Sequence, residues 1–173
     1  VTKIGPTTAI ILTGSRWHPN PQLALTELAR YVLNAPGWVI VRHGACPGEK
    51  SIDQAVSEWA QDCKELGVIE DPMPADWDNC GPECPPGLEH RVMKLPGDIW
   101  HPGKEPDYCP YAGPRRNGEM VRRTDPRAAL VIAAPHGMSK GTRNCIRQAR
   151  VQGIPVHTVH TAVTSNRQQE AMF

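Results

Sequence analysis

The sequence lacks a long apolar run. Beyond its start, the longest stretch is Ala128 to Pro135, far short of the roughly 20 residues that a membrane-spanning helix needs. The opening VTKIGPTTAIILTGSRW has only a few consecutive apolar residues and no small-residue cleavage site behind a long apolar region. No signal peptide is therefore expected, and the chain reads as cytoplasmic, where thiols stay reduced. Charge of one sign is also missing: 19 Lys and Arg against 18 Asp and Glu leave a net charge of +1. No overall field draws such a chain to nucleic acid or an anionic membrane, so any basic surface must be local. A nucleic-acid module would be expected to carry interleaved aromatics and a broad basic face; a net charge near zero argues against both, and nucleic acid is not an expected partner. Neither GxGxxG nor GxxxxGK(S/T) occurs, which excludes a standard dinucleotide fingerprint and a P-loop.

What is present is a chain of 173 residues, 39% hydrophobic and 21% charged, enough for one core, with an excess of six Cys and eighteen Pro. Thr8 to Thr13 (TAIILT) is β-branched and continuously apolar, the pattern of a buried parallel strand. Leu25, Leu28, Ala29, Val32 and Leu33 then recur at helical spacing until Asn34-Ala-Pro-Gly37 breaks the run. Trp38 to Val41 predicts a second strand, Ile52 to Cys63 a second helix, and Leu66 to Ile69 a weaker third strand. Regularity fails over Asp78 to Pro114, an insertion that holds eight of the eighteen prolines. A polar helix at Arg115 to Arg123, a strand at Ala128 to Ala134, a helix through Arg143 to Val151 and a strand at Pro155 to Val159 complete the alternation. The expected fold is α/β: a Rossmann-like three-layer sandwich around a mostly parallel five-stranded sheet. One domain spans 1–161, carrying the insertion 78–114, and a polar C-terminal tail spans 162–173.

In an open α/β sheet, ligands bind beyond the carboxyl ends of the strands where strand order reverses. The loops there read Gly14-Ser-Arg-Trp17, Gly44-Ala-Cys-Pro-Gly48 and Gly137-Met-Ser-Lys-Gly-Thr142. Glycine lets backbone N–H groups approach an anion, and a helix N-terminus favours one. Ser15, Ser139 and Thr142 add hydroxyls, and Arg16 and Lys140 add charge suited to phosphate. Arg115, Arg116, Arg122 and Arg123 form a local basic patch on the polar helix.

The spaced motifs TGSR, HGACPG with SIDQAVSEWA, PADW, AGPRRNGEM and SKGT resemble the YspA/YpsA-related branch of the SLOG superfamily, which also includes the DNA-processing protein DprA and the Lonely Guy phosphoribohydrolases. The resemblance covers most of residues 8 to 160. It implies a Rossmann-like protein, often a homo-oligomer, that binds a nucleotide or nucleotide-derived ligand as a sensor or sequestering module. By this likeness Gly14, Ser15 and Arg16 line the site; the loops read by themselves add Trp17 and Gly44. Asp53 stands where the family has the Asp of its GAD motif. Arg116 and Asn117 reach in from the helix after the insertion, and Gly141 and Thr142 hold a phosphate. An alternative is a nucleotide hydrolase, but the phosphoribohydrolases carry a Glu shortly after their Gly-Thr. Here Arg143, Asn144 and Cys145 follow, with no acid until Glu170. Asp53 also reads simply as a first-turn acid favoured by the helix dipole.

The insertion carries Cys80, Cys84, His90, His101 and Cys109. Three thiolates and one imidazole make a closed tetrahedral Zn²⁺ site, and an insert so poor in apolar residues gains order from a bound ion. The competing reading is unpaired cysteines or an oxidised Cys80–Cys84 pair. Either histidine can be the fourth ligand. The resemblance, which places His-Arg after the Cys-x3-Cys and Tyr-Cys-Pro before the polar helix, implies Cys80, Cys84, His90 and Cys109 around a structural zinc.

Overall fold

The computed structural model describes residues 5–160, so the tail expected at 162–173 lies outside the described residues. Strand β1 (Thr8–Gly14) is central, as its uninterrupted apolar run requires. It pairs in parallel with β2 (Val39–His43) on one side and β6 (Ala129–Ala134) on the other. The edges are β3 (Val68–Pro72) and β7 (Val156–Thr158), giving the order β3-β2-β1-β6-β7, all parallel. Two short strands inside the insertion, β4 (Val92–Met93) and β5 (Asp107–Tyr108), form a separate antiparallel ribbon.

Successive strand residues point to opposite faces, and the core divides accordingly. Ile10, Leu12, Val39, Val41, Ile132 and Ala134 pack under α1 (Gln22–Asn34) and α2 (Ile52–Asp62). Ile11, Val131 and Ala133 pack under α3 (Ala112–Arg122) and α4 (Lys140–Val151). This is the expected Rossmann-like three-layer sandwich. No helix among the described residues is long and apolar enough to cross a membrane.

Several boundaries move for identifiable reasons. Leu66 belongs to a 3-10 turn that closes on Gly67 at φ 77°, and the third strand starts two residues later than expected and runs on through Glu70, Asp71 and Pro72. An edge strand paired on one side only tolerates those residues, and the acids are used. Glu70 meets His43 Nε2 at 3.1 Å, and Asp71 Oδ2 accepts from Arg42 Nε at 2.7 Å. Strand β2 accordingly extends past Val41 through two buried polar residues whose partners lie on other elements. The insertion is not wholly irregular, since it carries the β4–β5 ribbon. Its last residues, Ala112 to Pro114, are the first turn of α3, where proline needs no amide partner.

Arg42 crosses the sheet-to-helix gap: besides Asp71, it donates through Nη1 to Thr124 Oγ1 at 2.6 Å and Met120 O at 3.1 Å. It thereby fixes the C-terminal end of α3 against β2 and β3. Arg42→Met keeps the stem but removes the donor to Asp71 and to Thr124 Oγ1, while Met120 O keeps the Thr124 hydroxyl at 2.8 Å. Urea unfolding should show a loss of about 1–3 kcal/mol with an unchanged far-ultraviolet circular dichroism spectrum.

Candidate functional site

The chain leaves β1 toward β2 on one side and reaches β6 on the other, so strand order reverses between β1 and β6. At the carboxyl ends of these strands opens a cleft of about 780 Å³. Gly14, Ser15, Arg16, Trp17, Gly44, Asp53, Arg116, Asn117, Ser139, Lys140, Gly141 and Thr142 all line it. Gly137 does not. It stands at φ 57°, a turn residue leading into α4.

The floor is built by hydrogen bonds between loops. Asn117, buried on α3, donates through Nδ2 to Gly141 O and Asn144 Oδ1, both at 3.1 Å, and so fixes the first turn of α4. In that turn the hydroxyls of Ser139 and buried Thr142 lie 2.6 Å apart. Arg116 spends its guanidinium on the protein: Nη1 donates to Gly44 O and, at 2.9 Å, to Met73 O, while Nε donates to Asn117 Oδ1 at 3.0 Å. A Cβ at residue 44 would collide with that guanidinium and force it to shift. Asp53 lies in the first turn of α2, as the plain reading of the sequence has it, and its Oδ2 accepts from Cys46 N at 3.0 Å. It shapes the 44–48 loop while facing the cleft. Cys46 also lines the cleft, but burial pushes its thiol above the ordinary range, which does not suit a nucleophile.

One wall comes from the insertion and its approach: Trp77, Trp100 and Tyr108, none of them expected at the site, and His101, expected only as the alternative metal ligand. Trp100 packs over Gly48, where a Cβ would meet the indole at 2.7 Å, and its ring lies 5.9 Å from that of Trp17. His101 stacks on Tyr108 at 3.7 Å and 2°, and meets Trp77 edge-on at 4.6 Å. Asp98 Oδ2 lies 2.7 Å from its Nδ1, leaving Nε2 to face the Arg16 guanidinium at 3.4 Å. Arg16 is also 5.7 Å from the ring centre of Trp100 and 6.0 Å from that of Trp77. Their signal in the sequence was weak but present: three of the four are aromatic, set in a segment with little else to bury.

The same insertion gathers Cys80, Cys84, His90 and Cys109, whose donor atoms all lie within 4.8 Å of one another and can hold a metal ion. Cys80 Sγ is 3.2 Å from His90 Nε2, and Cys84 Sγ is 3.4 Å from Cys109 Sγ. Cys109 Sγ is 3.9 Å from His90 Nε2, so the edge of roughly 3.7 Å expected for a tetrahedral site with metal–sulfur bonds near 2.3 Å falls within the spread of these separations. Arg91 Nη1 lies 3.6 Å from Cys80 Sγ and holds that thiol below its ordinary range. Of the two histidines, His90 is in the cluster and His101 is in the cleft wall. The cluster and the wall are one packed unit: Cys109 N donates to Trp77 O at 2.9 Å, and Cys109, Trp77 and Ala112 share a small buried core.

Burial, with the nearby Arg16 charge, lowers the pKa of His101 despite the opposing pull of Asp98. Burial likewise lowers His18. A histidine depressed on folding binds fewer protons folded than unfolded, so its contribution is complete above the unfolded value near 6.5 and is lost on acidification. The melting temperature should therefore fall between pH 7.5 and pH 5.5. His101→Gln should flatten part of that fall, the remainder coming from His18.

No protein-family model matches the chain. It is 31% identical over 149 residues to the Gene 61 protein of Mycobacterium phage D29, an alignment that covers 85% of this chain and 92% of the phage protein. With that identity over 85% of this chain and 92% of the phage protein, the chain belongs to the family of the phage D29 Gene 61 protein.

Proposed function

We propose that the cleft binds a nucleotide or nucleotide-derived ligand, as a sensor or sequestering module of the SLOG type. The observation that carries this reading is the union, in one cleft at the strand-order reversal, of an anion-seeking end and an aromatic end. The first turn of α4, the Ser139 and Thr142 hydroxyls, Lys140 and Arg16 suit phosphate. Trp17, Trp100 and Trp77 offer faces to a base. The volume lies within the range of small-molecule sites.

The Cys80, Cys84, His90 and Cys109 set supports a structural Zn²⁺: three sulfurs and one imidazole fill a tetrahedral shell and leave no open position. The ion would order the segment that carries Trp77, Trp100 and Tyr108. Protein purified without chelator should contain about one equivalent of zinc. Cys84→Ser should lower it below half an equivalent, and an unchanged, near-zero content in both would refute the zinc.

The ligand reading is tested by a thermal-shift panel of nucleoside mono- and diphosphates, followed by chromatography of the incubated mixtures. At least one nucleotide should raise the melting temperature, and Arg16→Ala and Trp100→Ala should each weaken its binding by about tenfold or more. Nucleotide should be recovered intact. Release of free base would instead mark a phosphoribohydrolase, and no shift with any nucleotide would remove the reading.

A further inference from the structure

We propose that the outer face of α4 is a docking surface for the phosphate backbone of a polynucleotide. The balanced net charge conceals a segregation. Between Pro126 and Gln169 the chain has no acidic residue, while Lys140, Arg143, Arg147 and Arg150 all lie on α4. At about 100° per residue these four positions fall within an arc of about 80°, and at about 1.5 Å per residue they span about 15 Å, roughly one cation per turn. All four are exposed, and among the described residues none forms an ion pair. Arg143 reaches only Met138 Sδ and Gly137 O.

The contrast with the basic patch expected on α3 is direct. There Arg115 is paired with Glu83, Arg122 and Arg123 share Glu119, and Arg116 is spent on backbone carbonyls. The cations on α3 are neutralised or used, and those on α4 are not. Four like charges on one helix stripe repel one another and weaken the helix unless something external compensates them.

The chemistry favours phosphate over an acidic protein surface. An arginine fork suits carboxylate as well as phosphate, so the choice rests on the regular row of positive charge and not on the fork. Between them a shallow depression is lined by Arg143, Ile146, Arg147, Arg150 and Val151, with no aromatic anchor of the kind that holds a protein interface. A repeating row of charges fits a repeating row of phosphates, and the salt-sensitive counterion release that follows is measurable.

The stripe does not depend on the nucleotide reading of the cleft, although Lys140 borders both. Fluorescence anisotropy with the full chain, fluorescein-labelled (dT)20 and a 20-base-pair duplex, titrated from 50 to 200 mM salt, tests it. At least one polymer should bind, and for (dT)20 the logarithm of affinity should fall with the logarithm of salt at a slope of about −2 to −3, for three to four phosphates. The double variant Arg147→Glu/Arg150→Glu should lose at least tenfold, and Arg147→Lys/Arg150→Lys should retain most of the binding. Neither variant should melt below the wild type, since charge reversal relieves the repulsion along the stripe, and both should keep the thermal response of the cleft to nucleotides. Absence of binding to either polymer at tens of micromolar, binding intact in the charge-reversed variant, or equal or tighter binding of a polyglutamate peptide would each overturn the proposal.

Discussion

The contacts made by two adjacent side chains on α3 hold the cleft together. Arg116 binds the carbonyls at the ends of β2 and β3, while Asn117 binds the first turn of α4 and, through its own Oδ1, Arg116. Three loops that are far apart in sequence are thereby fixed to one short helical segment. A guanidinium has a planar fork of donors and is always charged, so it can satisfy several carbonyls at once without titrating. The arrangement propagates outward: a side chain at residue 44 would displace the Arg116 guanidinium, and the Asn117 contacts at α4 set where its amide end faces.

On this base the insertion adds a wall instead of a peripheral loop. Its ribbon, its cysteine and histidine cluster and the indole of Trp77 pack as one unit, and Trp100 presses that unit onto the loop after β2. A segment so rich in proline and so poor in apolar side chains cannot order itself through burial alone. The metal-binding geometry is therefore tied to the shape of the cleft through Cys109 and Trp77.

Much of the sandwich was legible because it rests on burial. Uninterrupted apolar runs can sit only inside a doubly covered sheet, and the helical stripes can face only that sheet. Legibility ended where polar residues were buried with partners from elsewhere. Arg42 and His43 look like the end of a strand until Asp71, Glu70 and Thr124 are brought beside them. The glycine loops announced themselves by composition, yet Gly137 falls outside the cleft, because a turn requiring positive φ leaves the same trace in sequence as a close approach to a ligand. The four arginines of α3 likewise could not be separated into paired and structural roles without their neighbours.

Local apolar period and side-chain chemistry are enough to dictate the alternation of strands and helices, the place of the insertion and the donor types of its cysteine and histidine cluster. Only the tertiary structure decided that His90 joins the cysteines while His101 turns to Arg16, that indoles from the insertion wall the cleft, and that the uncompensated charge lies on α4. Each of those depends on which distant residue stands within about 4 Å, and that is set by packing and not by spacing along the chain.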